Sequence, residues 1–425
     1  MLTAIRRMFA ALCRDNSGTL ATTFGIALIP LVGVIGAAVD YSNANRIRTM
    51  LLAAADAASV GSVATSASGY NSGANMASDG AIAAGSKDAV KIFKAEIAGK
   101  TGFVLSSVKA DVEKSKGNVT STVNFTAQVP MNFMKVFGIS SMTVTGTSAA
   151  AHDLPVFVDF YLLLDNTPSM GVAATTADIA TMVNNTPDQC AFACHDLSTT
   201  NNYYALAKKL GVTTRIDVLR TATQQLMDTA TSASVYPGQY RMAIYTFGTS
   251  ATSLGLTTIT SLTSSLSSAK TAAGNIDLMT VPNQNYNSDQ DTDYSSVMPA
   301  ANNVIPTPGD GLSSVTPQKV LFFVSDGVAD ASVGGVRTIA PINPALCSAI
   351  KNRGIRIAVL YTTYLPLPTN AFYNTYVAPF SSTIGPTMQS CASPGLYFEV
   401  SPTQGIPEAM SALFQKVLLQ ARLTQ

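Results

Sequence analysis

Hydrophobic positions fall along this chain in three regimes. From Gly18 to Val39 the sequence runs 22 residues without a charge, enough to cross a bilayer as a helix at about 1.5 Å per residue. Over Tyr41 to Ala64 the apolar residues Ile47, Leu51, Ala54, Ala55 and Ala58 recur at helical spacing. That predicts an amphipathic stem continuing the span. Residues 66–83, rich in Gly, Ser, Ala and Asn, predict a loop. A helix is expected over Ala84 to Ala98, then strands at Phe103 to Val112, Asn118 to Val129 and Met142 to Ala150, where β-branched residues alternate with polar ones. This second regime is a small α+β module without a titratable cluster, suited to packing or docking.

The third regime starts at Leu154, where strand and helix patterns alternate. Strands are expected at Val156 to Leu164, Tyr240 to Phe247, Lys319 to Val324, Ile355 to Tyr361 and Leu396 to Val400. Helices are expected at Arg215 to Ala230, Leu262 to Ala273, Tyr294 to Val304, Pro344 to Arg353 and Pro407 to Leu423. Alternation of this kind builds an α/β fold with a doubly wound parallel sheet. The predicted organisation is a cytoplasmic N-terminus over 1–17, a transmembrane helix over 18–40, the stem and α+β module over 41–151, and the α/β domain over 152–425 with an insertion around 172–214.

Ligands of doubly wound sheets bind at the carboxyl ends of the strands. The first strand ends F-V-D-F-Y-L-L-L-D-N-T-P-S-M-G, placing Asp165, Thr167 and Ser169 there at alternate positions. A carboxylate beside neutral hydroxyls suits a hard cation such as Mg²⁺, with Mn²⁺ or Ca²⁺ as relatives; a polar turn capped by Asp165 is the simpler alternative. K-V-L-F-F-V-S-D-G puts Asp326 after a second apolar strand, and D-T-D-Y-S-S-V-M puts Thr292 just before a helix.

Charge and composition narrow the function classes. A 47% hydrophobic, 12% charged chain of 425 residues forms ordered cores. A net charge of +1 gives no electrostatic footprint for nucleic acid. Arg6, Arg7 and Arg14 before the span favour a cytoplasmic N-terminus, against Arg46 and Arg48 beyond it. Of the five cysteines, Cys13 precedes the span, while Cys190, Cys194, Cys347 and Cys391 form an even set after it. Four cysteines allow three connectivities; the preferred one joins Cys190 to Cys194 and Cys347 to Cys391, with a zinc site at Cys190, Cys194 and His195 as the rival.

Two resemblances add to this reading. D-N-S-G-T-L-A-T-T-F-G-I-A-L-I-P-L-V-G-V-I-G-A-A-V-D-Y followed by R-I-R-T-M-L-L-A-A-A-D-A-A resembles the N-terminal region of TadE/TadG-type proteins of tight-adherence (Flp) pilus assembly. Thr23 stands where pilin-like members carry a Glu after the processing glycine, so an intact anchor is expected. The order D-x-T-x-S, later Thr, then strand-S-D-G resembles the metal-ion-dependent adhesion site of von Willebrand factor type A domains, which are Rossmann-like. That resemblance implies hydroxyl ligation by Thr167, Ser169 and Thr292, with Asp165 and Asp326 holding the ion directly or through water. An acidic residue of a partner protein would complete the shell. Pro168 replaces the small residue common there and fixes φ near −65°. In the type A strand order the elements carrying Cys347 and Cys391 are neighbours.

The expected protein is therefore a TadG-like, single-pass bacterial inner-membrane component of Flp pilus assembly, periplasmic in bulk, binding a protein partner through a divalent cation. A surface-exposed adhesin is the alternative. A metal-dependent hydrolase ranks lower, because no G-x-S-x-G or histidine-paired nucleophile is present.

Overall fold

The computed structural model describes residues 18–284, 286–333, 336–364, 366–400 and 405–423; the N-terminus expected in the cytoplasm lies outside them. Two compact units emerge, one of residues up to Gly73 together with Ser78–Leu154, the other of Ala74–Ala77 together with residues from Pro155 onward.

The first unit is built on helix α1 (Gly18–Val63), which is long and apolar enough to cross a membrane. Its first half exposes Phe24, Ile26, Ile29 and Val34. Its second half buries Ala44, Ile47, Leu51, Ala54, Ala55 and Ala58, the stripe that the spacing predicts. That stripe packs on helix α3 (Ala83–Glu96) and on an antiparallel sheet of β1 (Val104–Ser115), β2 (Asn118–Pro130) and β3 (Ser141–Asp153), with Gly80–Ala81 pairing at the β1 edge. The stem is thus one layer of a helix-on-sheet sandwich.

The loop expected over 66–83 is corrected in part: Ser68–Asn75 forms a short helix, α2. A Cβ on Gly69 would lie 2.3 Å from the Ser62 carbonyl oxygen. Gly69 here permits close packing, so the flexible composition misled.

The second unit is an α/β sandwich. Its strands are β4 (Val158–Leu164), β5 (Tyr240–Ser250), β6 (Ser253–Thr263), β7 (Gln318–Ser325), β8 (Val328–Val333), β9 (Val336–Pro341), β10 (Arg356–Thr362) and β11 (Tyr397–Val400). The sheet runs β11-β10-β7-β4-β5 in parallel, extended beyond β5 by the short pairs at Thr280–Val281 and His195–Asp196, with β6 antiparallel on β5. Residues Val158, Phe160, Leu162 and Leu164 enter one buried cluster, Tyr161 and Leu163 the other. Helices cover both faces, so the central strands are largely apolar, and the buried Asp159 of β4 is paired with Arg241 of β5 and Lys319 of β7. On the first face lie α6 (Arg215–Ala233) and α11 (Ile406–Leu423); on the second lie α8 (Tyr294–Val304), α9 (Pro344–Lys351) and α10 (Ser381–Cys391). The insertion holds α4 (Thr176–Asn185) and α5 (Tyr203–Leu210).

Three differences from the sequence reading have local causes. Ser253–Thr263 is a strand, and the helix expected from Leu262 is α7 (Leu266–Ala273); a half-exposed Thr/Ser-rich edge strand lacks the apolar run that marks its neighbours. The β8–β9 hairpin is closed by a bidentate Arg337–Asp330 pair, 2.9 and 2.6 Å. Helix α10 contains Pro386, a residue that argues against a helix interior.

A disulfide joins Cys347 of α9 to Cys391 at the end of α10. Closing a loop of 44 residues, it should contribute about 2–4 kcal/mol. Cys347→Ser is expected to lower the melting temperature by roughly 4–16 °C; an unchanged value under oxidising conditions would remove that role. The expected pairing of Cys190 with Cys194 is not made: both remain thiols. The segment between them is extended, Phe192 bridging Val172 and the Ala193 N–H donating to the Gly171 carbonyl.

Candidate metal centre

Strands β4 and β7 are adjacent and in register, Leu164 opposite Val324. From β4 the chain crosses to β5 on one side and returns to β7 on the other, so their carboxyl ends form the switch point where doubly wound sheets bind ligands. The Asp165 N–H donates to the Val324 carbonyl at 3.0 Å, so Asp165 and Ser325 leave the sheet together.

The loop after β4 is tightly held. Asn166 donates to the Gly248 carbonyl at 2.7 Å and accepts from the Phe247 N–H at 3.0 Å, tying the loop to β5. Thr167 is extended at φ −66° and ψ 165°, and Pro168–Gly171 is a 3₁₀ turn with the proline in its first position. There the missing N–H costs nothing and the ring presets the turn.

The Asp165 carboxylate is fully buried. Its Oδ1 accepts from the Thr167 N–H at 3.0 Å and the Thr167 hydroxyl at 2.7 Å; its Oδ2 accepts from the Ser325 hydroxyl at 2.6 Å. Tyr294 of α8 lies 2.6 Å from Ser325 Oγ, backing the same relay. Thr167 Oγ1 sits 3.2 Å from Ser169 Oγ, and the Ser169 hydroxyl bonds to the equally buried Asp326. Asp326 Oδ1 accepts from the Val328 N–H at 3.3 Å.

The geometry therefore gathers Asp165, Thr167, Ser169 and Asp326. Thr292 reaches the same cleft by a different route, through an antiparallel bridge to Asp330 of β8. It lines the cleft mouth with Ser169, Tyr364 and the alternate residues Cys190, Phe192 and Cys194. His195, offered with the cysteines as a zinc rival, instead stacks on Tyr204 at 4.9 Å.

Sequence reasoning missed Arg215. This first residue of α6 is fully buried, its guanidinium 3.5 Å from Asp326 Oδ2, donating to the Thr363 carbonyl at 3.2 Å and lying 4.9 Å from the Tyr364 ring centroid. Its Nε has no hydrogen-bond partner. In the sequence, T-T-R-I-D reads only as a helix start, and Thr214 with Asp217 does form the capping box.

The donor set fits a hard divalent cation. Two buried carboxylates lie in the site, Asp326 alone paired with a guanidinium, and the other donors are neutral oxygens, the chemistry that Mg²⁺ or Mn²⁺ takes. Among the described residues no group of three or more His, Cys, Asp or Glu side chains that could hold a metal ion forms, so hydroxyl oxygens would have to supply part of any shell.

Burial, followed by the charge of Asp326, pushes Asp165 up to about 7. Burial also raises Asp326, against the lowering influence of Arg215. The native state thus holds protons that the unfolded chain has already released near pH 4. Stability without a cation should fall as pH rises from about 4 to about 7. Melting curves in chelator at pH 5 and 7.5 check this: wild type should be the less stable at pH 7.5, with a smaller difference in Asp165→Asn. An equal slope in both proteins would locate the titration elsewhere.

Comparison with known families finds one matching segment. Residues 18–65 match the family described as putative Flp pilus-assembly TadE/G-like. No curated protein matches the sequence. Among solved structures, the von Willebrand factor domain of the type V pili tip protein Mfa5 from Porphyromonas gingivalis is 10% identical, with 63% of this chain and 97% of that chain covered and a TM-score of 0.38. The PilB minor pilin from Streptococcus sanguinis is 13% identical, covering 75% and 77%, with a TM-score of 0.33. Proximal thread matrix protein 1 from the mussel byssus, solved with a zinc-occupied MIDAS motif, is 13% identical, covering 63% and 46%, with a TM-score of 0.32. Over the span and stem of α1, this chain is similar to the TadE/G-like proteins of Flp pilus assembly.

Proposed function

We propose that this chain is a single-pass component of Flp pilus assembly, anchored in the bacterial inner membrane by α1, whose periplasmic α/β domain binds a protein partner through a divalent cation. The observation that carries the binding half is the joint exit of Asp165 and Ser325–Asp326 from adjacent parallel strands, with Thr167 and Ser169 hydroxyls between the carboxylates. The TadE/G-like segment at 18–65 supports the pilus half.

Asp165, Thr167, Ser169, Thr292 and Asp326 would hold the cation. With hydroxyls supplying much of the shell, the ion keeps enough positive charge to attract a partner's carboxylate. The proposed interaction is recognition without bond-making; His195, the histidine of the α/β domain, packs against Tyr204.

The test is crosslinking and capture from native membranes with the full chain, with Mg²⁺ or with chelator. Wild type should capture a partner only with the cation, and Asp165→Asn should capture none. Chelator-insensitive capture, equal for both proteins, would sink the metal-dependent reading. Recovery of the chain at the outer surface, with pilus assembly intact in its absence, would favour an adhesin.

A further inference from the structure

Between β2 and β3 the chain makes a tip, M-N-F-M-K-V-F-G-I-S over residues 131–140, whose composition is wrong for water. Phe133 is 48% exposed, Val136 84%, Phe137 55% and Ile139 47%. Hairpin tips facing water carry polar turn residues, and grouped exposed hydrophobes mark a surface that something covers.

The tip is fastened to α1. The Asp40 carboxylate accepts the backbone N–H groups of Asn132, Phe133 and Met134 at 3.0, 2.9 and 2.8 Å, at the start of the 3₁₀ turn Met134–Phe137. Seven residues back along α1, Gly33 leaves room for Phe137, whose Cζ would be 2.9 Å from a Cβ there; Gly36 does the same for Phe133. This gives Gly33 a use different from the helix–helix pairing that its spacing with Ala37 suggests. Leu28, Ile29 and Val32 line a shallow cleft with Phe133, Val136 and Phe137. The apolar tip is therefore continuous with the charge-free surface of the span, and it lies roughly 6–10 Å along the helix on the span side of Asp40.

We propose that this tip is a second membrane contact, a wedge that enters the leaflet nearest the α+β module and is held there by Asp40. The proposal rests on α1 being a membrane anchor. Lipid is the occupant because the surfaces are contiguous: the solvent that accepts Ile29, 69% exposed, and Val32, 53% exposed, meets Val136 and Phe137 beside them. Lys135, the single charge of the tip, has a stem long enough to reach the headgroups.

The chain contains no tryptophan, so single substitutions report cleanly. The full chain carrying Val136→Trp, Phe137→Trp or Ile29→Trp is reconstituted into vesicles with and without brominated acyl chains and titrated with aqueous iodide. The expected result is that all three lose most of their emission to brominated lipid and little to iodide. If Ile29→Trp is quenched by lipid while both tip variants are quenched by iodide, or by neither agent, the wedge is overturned and the anchor stands. If Ile29→Trp is not quenched by lipid, the anchor reading falls and the wedge with it.

Discussion

Full-length protein carrying Asp165→Asn is expected to bind Mg²⁺ or Mn²⁺ about 100-fold more weakly than wild type, a loss of ~3 kcal/mol, while keeping its fold. The amide matches the carboxylate in shape, so its oxygen can still accept from the Thr167 N–H and hydroxyl. Its nitrogen would face Ser325 Oγ, which now donates to Asp165. That hydroxyl can reverse, accepting from the amide and donating to Tyr294, because Tyr294 and Ser325 are 2.6 Å apart and either can give the proton. What disappears is the buried negative charge. Asp165→Ala differs: it strands the Thr167 and Ser325 donors in a buried site, at roughly 1–3 kcal/mol for each donor, so it should lose stability as well as cation affinity. Calorimetric titration with each cation, paired with melting curves, separates the two. Equal cation affinity in wild type and Asp165→Asn would end the metal assignment.

Arg215→Met should produce the second large effect, with opposite signs in the two assays. Removing one member of a buried ion pair leaves the other charge uncompensated, typically at about 3–5 kcal/mol. Arg215 also gives up its bond to Thr363 and its stacking on Tyr364. In chelator, the melting temperature should drop by roughly 6–20 °C. Cation affinity should instead rise about tenfold or more, since a fixed positive charge beside Asp326 opposes a second one. Added Mg²⁺ should therefore recover more stability in the variant than in wild type. A loss of stability that Mg²⁺ leaves unchanged would make Arg215 a packing residue alone.

These two residues show what the sequence could and could not reveal. Asp165 and Asp326 were legible because each follows a long apolar run, and the end of a buried parallel strand has a known place in the fold. The helices α8 and α11 were readable from their apolar periodicity. Arg215 was hidden because its meaning comes from a different element: only folding brings the start of α6 under the end of β7. Ser325, one position before Asp326, was visible as a residue but not as the donor that steadies Asp165. The hairpin β8–β9 and the strand β6 escaped for a related reason, since edge elements are half polar and leave no strong period. The Cys190–Cys194 pairing is not made; counting cysteines leaves three connectivities open and does not choose among them. Asp40 marked the end of an apolar run, and nothing in its neighbours announced that residues 132–134 would return to it.

Helix α1 has one further consequence. From Leu31 to Val63 it contains no proline, a rod of about 50 Å at 1.5 Å per residue, with its latter half built into the sandwich and Asp40 strapped to the β2–β3 tip. No joint separates the two halves, so a pull on the sandwich loads the rod axially and a sideways push tilts it as a lever.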